Sequence, residues 1–105
     1  MLEQQLQAVA DTTRRRILKL AADEPLTAGD IAARFRMTRS AVSQHLKVLR
    51  DSGLMRVRAE GTKRLYTTNR GVLMSLFEEL DDYWSLGLMR LKDAAEKQAR
   101  REGKR

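Results

Sequence analysis

The alternation of apolar and polar residues predicts a two-faced helix within residues 38–54. At about 100° per residue, one side collects apolar residues at i, i+4 and i+7, and these are Val42, Leu46 and Leu49. The opposite side collects polar residues, and these are Ser40, Ser43, Gln44 and Lys47. A solvated helix face is ordinarily rich in Glu and Lys pairs, whereas this face carries short hydrogen-bonding groups, one amide and one cation. Such a face can approach another polar surface closely.

A shorter helix precedes this one and completes a helix-turn-helix over residues 27–52. Thr27 is the expected N-cap, with Asp30 three residues later. Its apolar face consists of Ile31, Ala32 and Phe35. In the turn, Arg36 occupies a position that prefers a left-handed backbone and usually carries Gly. A non-Gly residue there costs about 1–2 kcal/mol, so Arg36 is either strained or useful as a cation that faces a phosphate.

Two further helices precede this motif, and a hairpin follows it. Residues 1–10 predict a short helix, and either Asp11 or Thr12 can cap a second helix that runs to about Ala22. Gly53 predicts a left-handed C-terminal cap after the two-faced helix. Apolar and polar residues alternate with a period of two over residues 54–59 and 63–68, and residues 60–62 join these two segments. This pattern predicts a β-hairpin, which we call the wing (residues 54–68).

A long helix ends the chain. Asn69 is its expected N-cap, and apolar residues repeat every three or four positions over residues 70–99. Residues 97–105 are expected to form a frayed basic tail. The fold class is therefore mainly α with a small β-hairpin, in the order α-α-α-α-β-β-α. This order predicts a single winged helix-turn-helix domain over residues 1–105.

The length of the last helix predicts a homodimer through the terminal helices. About 30 residues of helix span roughly 45 Å, whereas a domain of this size has a radius of gyration of about 13 Å. The apolar stripe of this helix would be exposed to solvent in a monomer, unless the helix folds back across the core of its own chain. The predicted interface residues are Leu2, Leu6, Val9, Leu73, Leu76, Phe77, Leu80, Trp84, Leu88 and Leu91.

The net charge of +7 is concentrated in one third of the chain. Residues 34–64 contain nine Lys or Arg and two acids, which equals the excess of the whole protein. A localised excess of this kind indicates a polyanionic partner. The chain has no cysteine and no apolar run of membrane-spanning length, and no signal peptide is expected from its first residues. A protein without membrane insertion, in the cytoplasm and associated with the nucleoid, is expected.

The polar helix face suits the major groove of double-stranded DNA. Gln can pair bidentately with adenine, Ser is both donor and acceptor, and Lys neutralises phosphate. The wing adds positive charge beside a glycine tip, although a merely solvated hairpin is the alternative. The predicted DNA-binding residues are Arg36, Thr38, Arg39, Ser40, Ser43, Gln44, His45, Lys47, Arg58, Thr62, Lys63 and Arg64.

Five segments together resemble the ArsR/SmtB family of dimeric winged-helix repressors. These segments are residues 11–18 (DTTRRRIL), 31–35 (IAARF), 39–49 (RSAVSQHLKVL), 53–54 (GL) and 64–66 (RLY). The chain is most similar to autorepressor-like members that lack metal ligands. The family commonly has Pro where Thr12 stands and Gly where Arg36 stands. The resemblance implies a repressor that binds an inverted-repeat operator as a homodimer and regulates its own gene.

The residues argue against a metal, a cofactor or catalysis. Metal-sensing relatives carry a Cys-x-Cys pair near positions 26–31, where this chain has no cysteine. The last helix has Glu78, Glu79, Asp81 and Asp82 but no histidine, and carboxylates alone do not select zinc. His45 is the only histidine, so it cannot build a metal site or a catalytic triad alone.

Several alternatives remain at this point. One is a metal- or ligand-responsive sensor with a non-cysteine site, and another is a winged helix that serves protein assembly. A binder of double-stranded RNA would carry Lys and Arg across the helix face instead of Ser and Gln. The inducer is undetermined. It is a small apolar molecule at the dimer interface or a protein that sequesters the repressor, or the repressor has no inducer.

Overall fold

A computed structural model describes residues 2–103 and contains five helices and one hairpin within them. The elements are α1 (Leu2–Ala10), α2 (Thr12–Asp23), α3 (Ala28–Phe35), α4 (Arg39–Asp51), β1 (Met55–Glu60), β2 (Lys63–Thr68) and α5 (Arg70–Gly103). This order confirms the predicted winged helix-turn-helix. The chain divides into two compact units, with the boundary between Met74 and Ser75.

Local side-chain chemistry determines where the first helices begin. Asp11, and not Thr12, caps α2, because its Oδ1 accepts from the Arg14 backbone N–H at 3.0 Å. Thr27 and Asp30 form a capping box on α3, with both hydrogen bonds at 3.1 Å. Thr38 caps α4 by accepting from the Ala41 backbone N–H at 3.1 Å. A cap of this kind contributes about 1 kcal/mol to helix stability.

The predicted apolar faces form the core of the first unit. α2, α3 and α4 each turn one face inward, and the buried residues are Ile17, Leu18, Ala21, Ile31, Ala32, Val42, Leu46 and Leu49. The hairpin is tied to this core through β2. The backbone of Tyr66 pairs with Leu26 through hydrogen bonds of 2.8 and 3.0 Å, and the buried Thr68 hydroxyl donates to the Leu18 carbonyl at 2.7 Å. The wing is therefore held against α2 and the start of α3.

Within residues 2–103, three residues adopt positive φ where the chain reverses. Arg36 has φ 53° and ψ 44°, as the turn of the helix-turn-helix predicts, and Gly53 follows α4 with φ 80°. Gly61, at φ 62°, lies in the hairpin turn. Because Glu60 pairs with Lys63, this turn consists of two residues and not of the three that the sequence suggested. β1 also begins one residue later than predicted, at Met55.

α5 is longer than predicted. It continues through Gly103, so the prediction of a frayed tail is wrong for residues 97–103, while residues 104 and 105 lie outside the described residues. The segment 94–101 consists of Ala, Glu, Lys, Gln and Arg, which are strong helix formers, and Gln98 donates to Glu102 at 3.2 Å. No helix in the described part of the chain combines the length and the apolar character needed to cross a bilayer.

One residue of the predicted dimer stripe must be removed from it. Leu76 has no exposed surface in the single chain, so its side chain is not available to a partner. Other members are strongly exposed, with Phe77 at 55%, Trp84 at 72% and Leu91 at 67%. Period 3.6 alone places all of them on one stripe, but it does not distinguish residues buried within the chain from those left for a partner.

Candidate nucleic-acid interface

α4 presents its polar face to solvent. Val42, Leu46 and Leu49 are buried, and this burial fixes the rotation of the helix. The residues that face outward are Ser40, Ser43, Gln44 and Lys47, all of them exposed. Lys47 Nζ lies 2.9 Å from Asp51 Oδ2, in an ion pair whose two side chains are 74% and 53% exposed. An exposed pair of this type contributes about 0.2–1 kcal/mol, so Lys47 can leave it for another anion at small cost.

A cleft of about 490 Å³ lies beside this face, and we call it the basic cleft. It brings together the start of α3, the first turns of α4 and the wing. Its lining residues are Thr27, Ala28, Gly29, Arg39, Ser43, Thr62, Lys63, Arg64 and Tyr66. Five of these are among the predicted DNA-binding residues, namely Arg39, Ser43, Thr62, Lys63 and Arg64. Three cations and four hydroxyl-bearing side chains in one cleft suit a phosphate group.

The sequence reasoning missed the contribution of α3 to this cleft. Thr27 was predicted only as a cap, yet Thr27, Ala28 and Gly29 line the cleft with the first turn of a helix. The backbone N–H groups of a first helical turn lack intrahelical partners and favour anions. The Arg39 side chain lies over Gly29, because a Cβ added there would meet Arg39 Nη1 at 3.2 Å. The sequence does contain a signal for this contribution. The N-cap Thr27 is followed two residues later by Gly29, shortly before the helix that is predicted to contact DNA.

The carboxylate of the α3 capping box stays ionised next to this cleft. The Thr27 backbone N–H, then the Thr27 hydroxyl, lower the pKa of Asp30 below its ordinary value, and Arg34 and Lys63 lower it further. Because the folded pKa is depressed, the cap is complete above the pKa of the unfolded chain and weakens as the pH falls through the folded value. Near neutral pH the capping box therefore remains intact.

Several predicted DNA-binding residues lie outside the basic cleft. Arg36 is exposed at the left-handed turn, and Arg58 Nη2 lies 3.4 Å from Glu60 Oε2 on the wing. Thr38 is exposed, but its hydroxyl already serves as the cap of α4. These three positions remain predictions as DNA contacts.

His45 is placed differently from the other members of the predicted set. It is half-buried, and its Nδ1 lies 3.4 Å from the Arg14 Nη1 of α2. One step of about 100° separates it from Gln44, and this step carries the imidazole out of the exposed face toward α2. His45 therefore remains a prediction as a DNA contact.

A helix-turn-helix with a solvent-facing polar helix and a basic wing defines a winged helix-turn-helix DNA-binding protein. Residues 11–57 match the family model described as bacterial regulatory protein, arsR family. The chain is 43% identical over 82 residues to the HTH-type transcriptional regulator Rv2034 of Mycobacterium tuberculosis, covering 78% of this chain and 77% of that protein. This chain belongs to the arsR family, so it is a DNA-binding transcriptional regulator and not an enzyme.

Two other proteins show what related chains do. The transcriptional repressor SdpR of Bacillus subtilis is 36% identical over 66 residues, which cover 63% of this chain and 73% of SdpR. A homodimeric winged helix-turn-helix DNA-binding domain from Mycobacterium bovis superimposes with a TM-score of 0.65 at 29% identity, covering 76% of this chain and 77% of that domain. The relatives thus include a repressor and a homodimer.

Proposed function

We propose that this protein is a transcriptional repressor that binds an inverted-repeat operator as a homodimer. The observation that carries this proposal is the orientation of α4. Its apolar face is buried, and its exposed face carries Ser40, Ser43 and Gln44 next to the basic cleft. The likeness to a named repressor and to a homodimeric domain supports the same function. Such a protein acts where the chromosome lies, so its proposed location is the cytoplasm, at the nucleoid.

In this proposal some residues of the site contact base edges and others hold phosphates. Ser40, Ser43 and Gln44 read base edges in the major groove, with Gln44 suited to a bidentate contact with adenine. Phosphates of the flanking backbone occupy the basic cleft, where Arg39, Lys63 and Arg64 meet the first turn of α3. Lys47 exchanges Asp51 for a phosphate on binding.

The homodimer follows from the geometry of DNA and from the exposed stripe on α5. Two recognition helices must be about 34 Å apart to read both halves of an inverted repeat, and one protomer supplies one such helix. In the single chain α5 exposes Phe77, Trp84, Leu88 and Leu91. A second copy of this chain is the proposed cover for this stripe. Leu73 and Leu80, and on α1 Leu2, Leu6 and Val9, are partly exposed and complete the proposed interface.

Base reading is tested on a duplex that the wild-type protein selects from a random-sequence library. The selected sequence is expected to be an inverted repeat. Gln44→Ala should lose about 1–3 kcal/mol on this duplex and relax the preference at one base pair in each half-site. Competition binding against random DNA measures both effects. Equal losses of Gln44→Ala on selected and random DNA would rule out base reading by this residue.

The matched control removes charge from the basic cleft instead. The double variant Lys63→Ala, Arg64→Ala should weaken selected and random DNA alike. It should also reduce the slope of log affinity against log salt by up to about 2 per protomer, because fewer counterions are released. Footprinting on the DNA immediately upstream of the gene tests whether the protein also regulates its own gene.

We also propose that the repressor does not respond to metals. The chain has no cysteine and one histidine, and within residues 2–103 no three His, Asp or Glu side chains converge. Zinc, nickel, cadmium and arsenite at low micromolar concentration should leave operator affinity unchanged, because such ligands cannot close a soft or borderline site. Fluorescence anisotropy with each metal measures this. A stoichiometric metal that shifts the affinity about tenfold would contradict the proposal.

A further inference from the structure

Two arginines of α2 close the C-terminal end of α1. The Arg14 Nε donates to the Ala8 carbonyl at 2.7 Å, and the Arg14 Nη2 donates to the Gln7 carbonyl at 2.8 Å. The Arg15 Nη1 donates to the Val9 carbonyl at 2.7 Å. The last four carbonyls of a helix have no partner within that helix. Guanidinium groups of the next helix therefore satisfy three of these four carbonyls in α1.

The geometry of this contact, which we call the arginine clamp (Arg14 and Arg15), fixes the helix end in position and rotation. The planar guanidinium of Arg14 spans two consecutive carbonyls, and Arg15 holds a third. Both side chains are themselves held. The Arg14 Nη1 lies 4.0 Å from Asp11 Oδ2, and the Arg15 Nη2 donates to the Thr12 hydroxyl at 3.2 Å. The two positive charges also face the negative end of the helix dipole, which strengthens the contact.

α1 belongs both to the proposed dimer interface and to the compact unit that carries α4. Leu2, Leu6 and Val9 of α1 are partly exposed and form part of that interface, and α1 and α4 lie in the same unit. α2 shares its core with α4, because Ile17 and Leu46 are both buried there. The arginine clamp therefore connects a helix of the proposed interface to the core that orients α4.

We propose that the arginine clamp sets the distance and angle between the two α4 helices of the homodimer, and thereby determines which half-site spacing the operator must have. Arg14 and Arg15 are positioning residues in this proposal, and they touch no base. The proposal rests on the proposed function, since only a dimer binds two half-sites. One base pair added between half-sites moves the second by about 3.4 Å and turns it by about 34°. A rigid dimer rejects such a change, whereas a dimer with a loosened α1 accepts several spacings.

Duplexes that differ only in the number of base pairs between the half-sites measure this effect. The spacer of the selected inverted repeat is shortened and lengthened by one and by two base pairs. The wild type should lose about tenfold or more in affinity at two base pairs in either direction, because the second half-site is no longer reached. The double variant Arg14→Lys, Arg15→Lys keeps the net charge but loses the planar donors, so its affinities across the series should differ by only about threefold.

Arg16→Lys is the matched control. Arg16 comes next on α2, and its Cζ lies 4.9 Å from the centroid of the Phe35 ring of α3, so its guanidinium stacks on α3. This variant should keep the wild-type spacer preference. A duplex with one half-site is the second control, and the double variant should bind it as tightly as the wild type does. An equal loss of the double variant on every duplex would mean that the clamp only stabilises the fold, and would overturn the proposal.

Spin labels provide a readout that needs no DNA. Because the chain has no cysteine, Arg50→Cys introduces one labelling site per protomer at an exposed position near the end of α4. The distances between the two labels of a dimer should form a narrow distribution with the clamp intact and a broader one in the double variant. Arg15→Lys alone replaces an exposed side chain. It should broaden the distribution and the spacer preference in smaller measure, even if the double variant does not fold.

The outcomes separate this proposal from the proposed function. A folded double variant that keeps the wild-type spacer preference and label distances would overturn the role of the clamp and leave the repressor intact. A wild type that selects an inverted repeat but accepts every spacer equally would do the same. A monomeric wild type that selects an isolated half-site would contradict the proposed dimeric function and the clamp with it.

Discussion

Replacing Trp84 with Glu is expected to leave a 12.0 kDa monomer that no longer binds its operator tightly. Trp84 is 72% exposed in the single chain and shares one face of α5 with Phe77, Leu88 and Leu91. A second copy would bury this face, and a carboxylate without a partner costs several kcal/mol when it is buried. Separated protomers lose the linkage of two half-sites, which reduces affinity by about 100-fold or more. Sedimentation velocity and operator binding measure the two effects.

Leu86→Glu is the matched control for this variant. Leu86 is 51% exposed, and two residues of helix turn it about 200° away from Trp84. The same change from an apolar residue to Glu should therefore leave the dimer and its operator affinity intact. A Trp84→Glu protein that still sediments as a dimer would refute the proposed interface. A wild type that is monomeric at micromolar concentration and binds one half-site tightly would refute the dimeric mechanism.

Leu46→Ala should produce a large loss of folding stability. Leu46 is 2% exposed and lies at the centre of the buried face, between Val42 and Leu49. Truncating a buried Leu to Ala removes apolar contacts and leaves a cavity, which costs about 2–5 kcal/mol. This is a large part of the roughly 5–15 kcal/mol that stabilises a small domain. Urea unfolding at one fixed protomer concentration measures the change.

The control for this change lies two residues further along the same helix. Val48 is 36% exposed, so Val48→Ala removes little buried surface and should change the free energy of unfolding by less than about 1 kcal/mol. Similar losses for Leu46→Ala and Val48→Ala would mean that the two sides of α4 are not distinguished by burial. In that case the outward orientation of Gln44, on which base reading depends, would lose its support.

Features set by neighbouring residues could be predicted from the sequence. The two faces of α4 follow from the spacing of Val42, Leu46 and Leu49, because helical period alone determines which side chains share a side. The Thr27 cap and the left-handed Arg36 depend on hydrogen bonds and backbone sterics that extend over about four residues. The frayed tail and the three-residue hairpin turn were the exceptions among local features. Helix propensity, and not basic charge, determines the conformation of residues 97–103, and Glu60 pairs with Lys63, which shortens the turn.

Features that depend on distant segments were decided by the tertiary structure. The basic cleft joins Gly29 of α3 to Lys63 of the wing, and His45 contacts Arg14, which lies 31 residues earlier. Leu76 looks like its neighbours in the stripe, and only the packed chain shows that it is buried. Periodicity assigns a residue to a face of its own helix, but the partner of that face depends on how the helices pack. The sequence alone therefore determined which side chains share the polar face of α4, whereas packing decided that the basic cleft flanks this face.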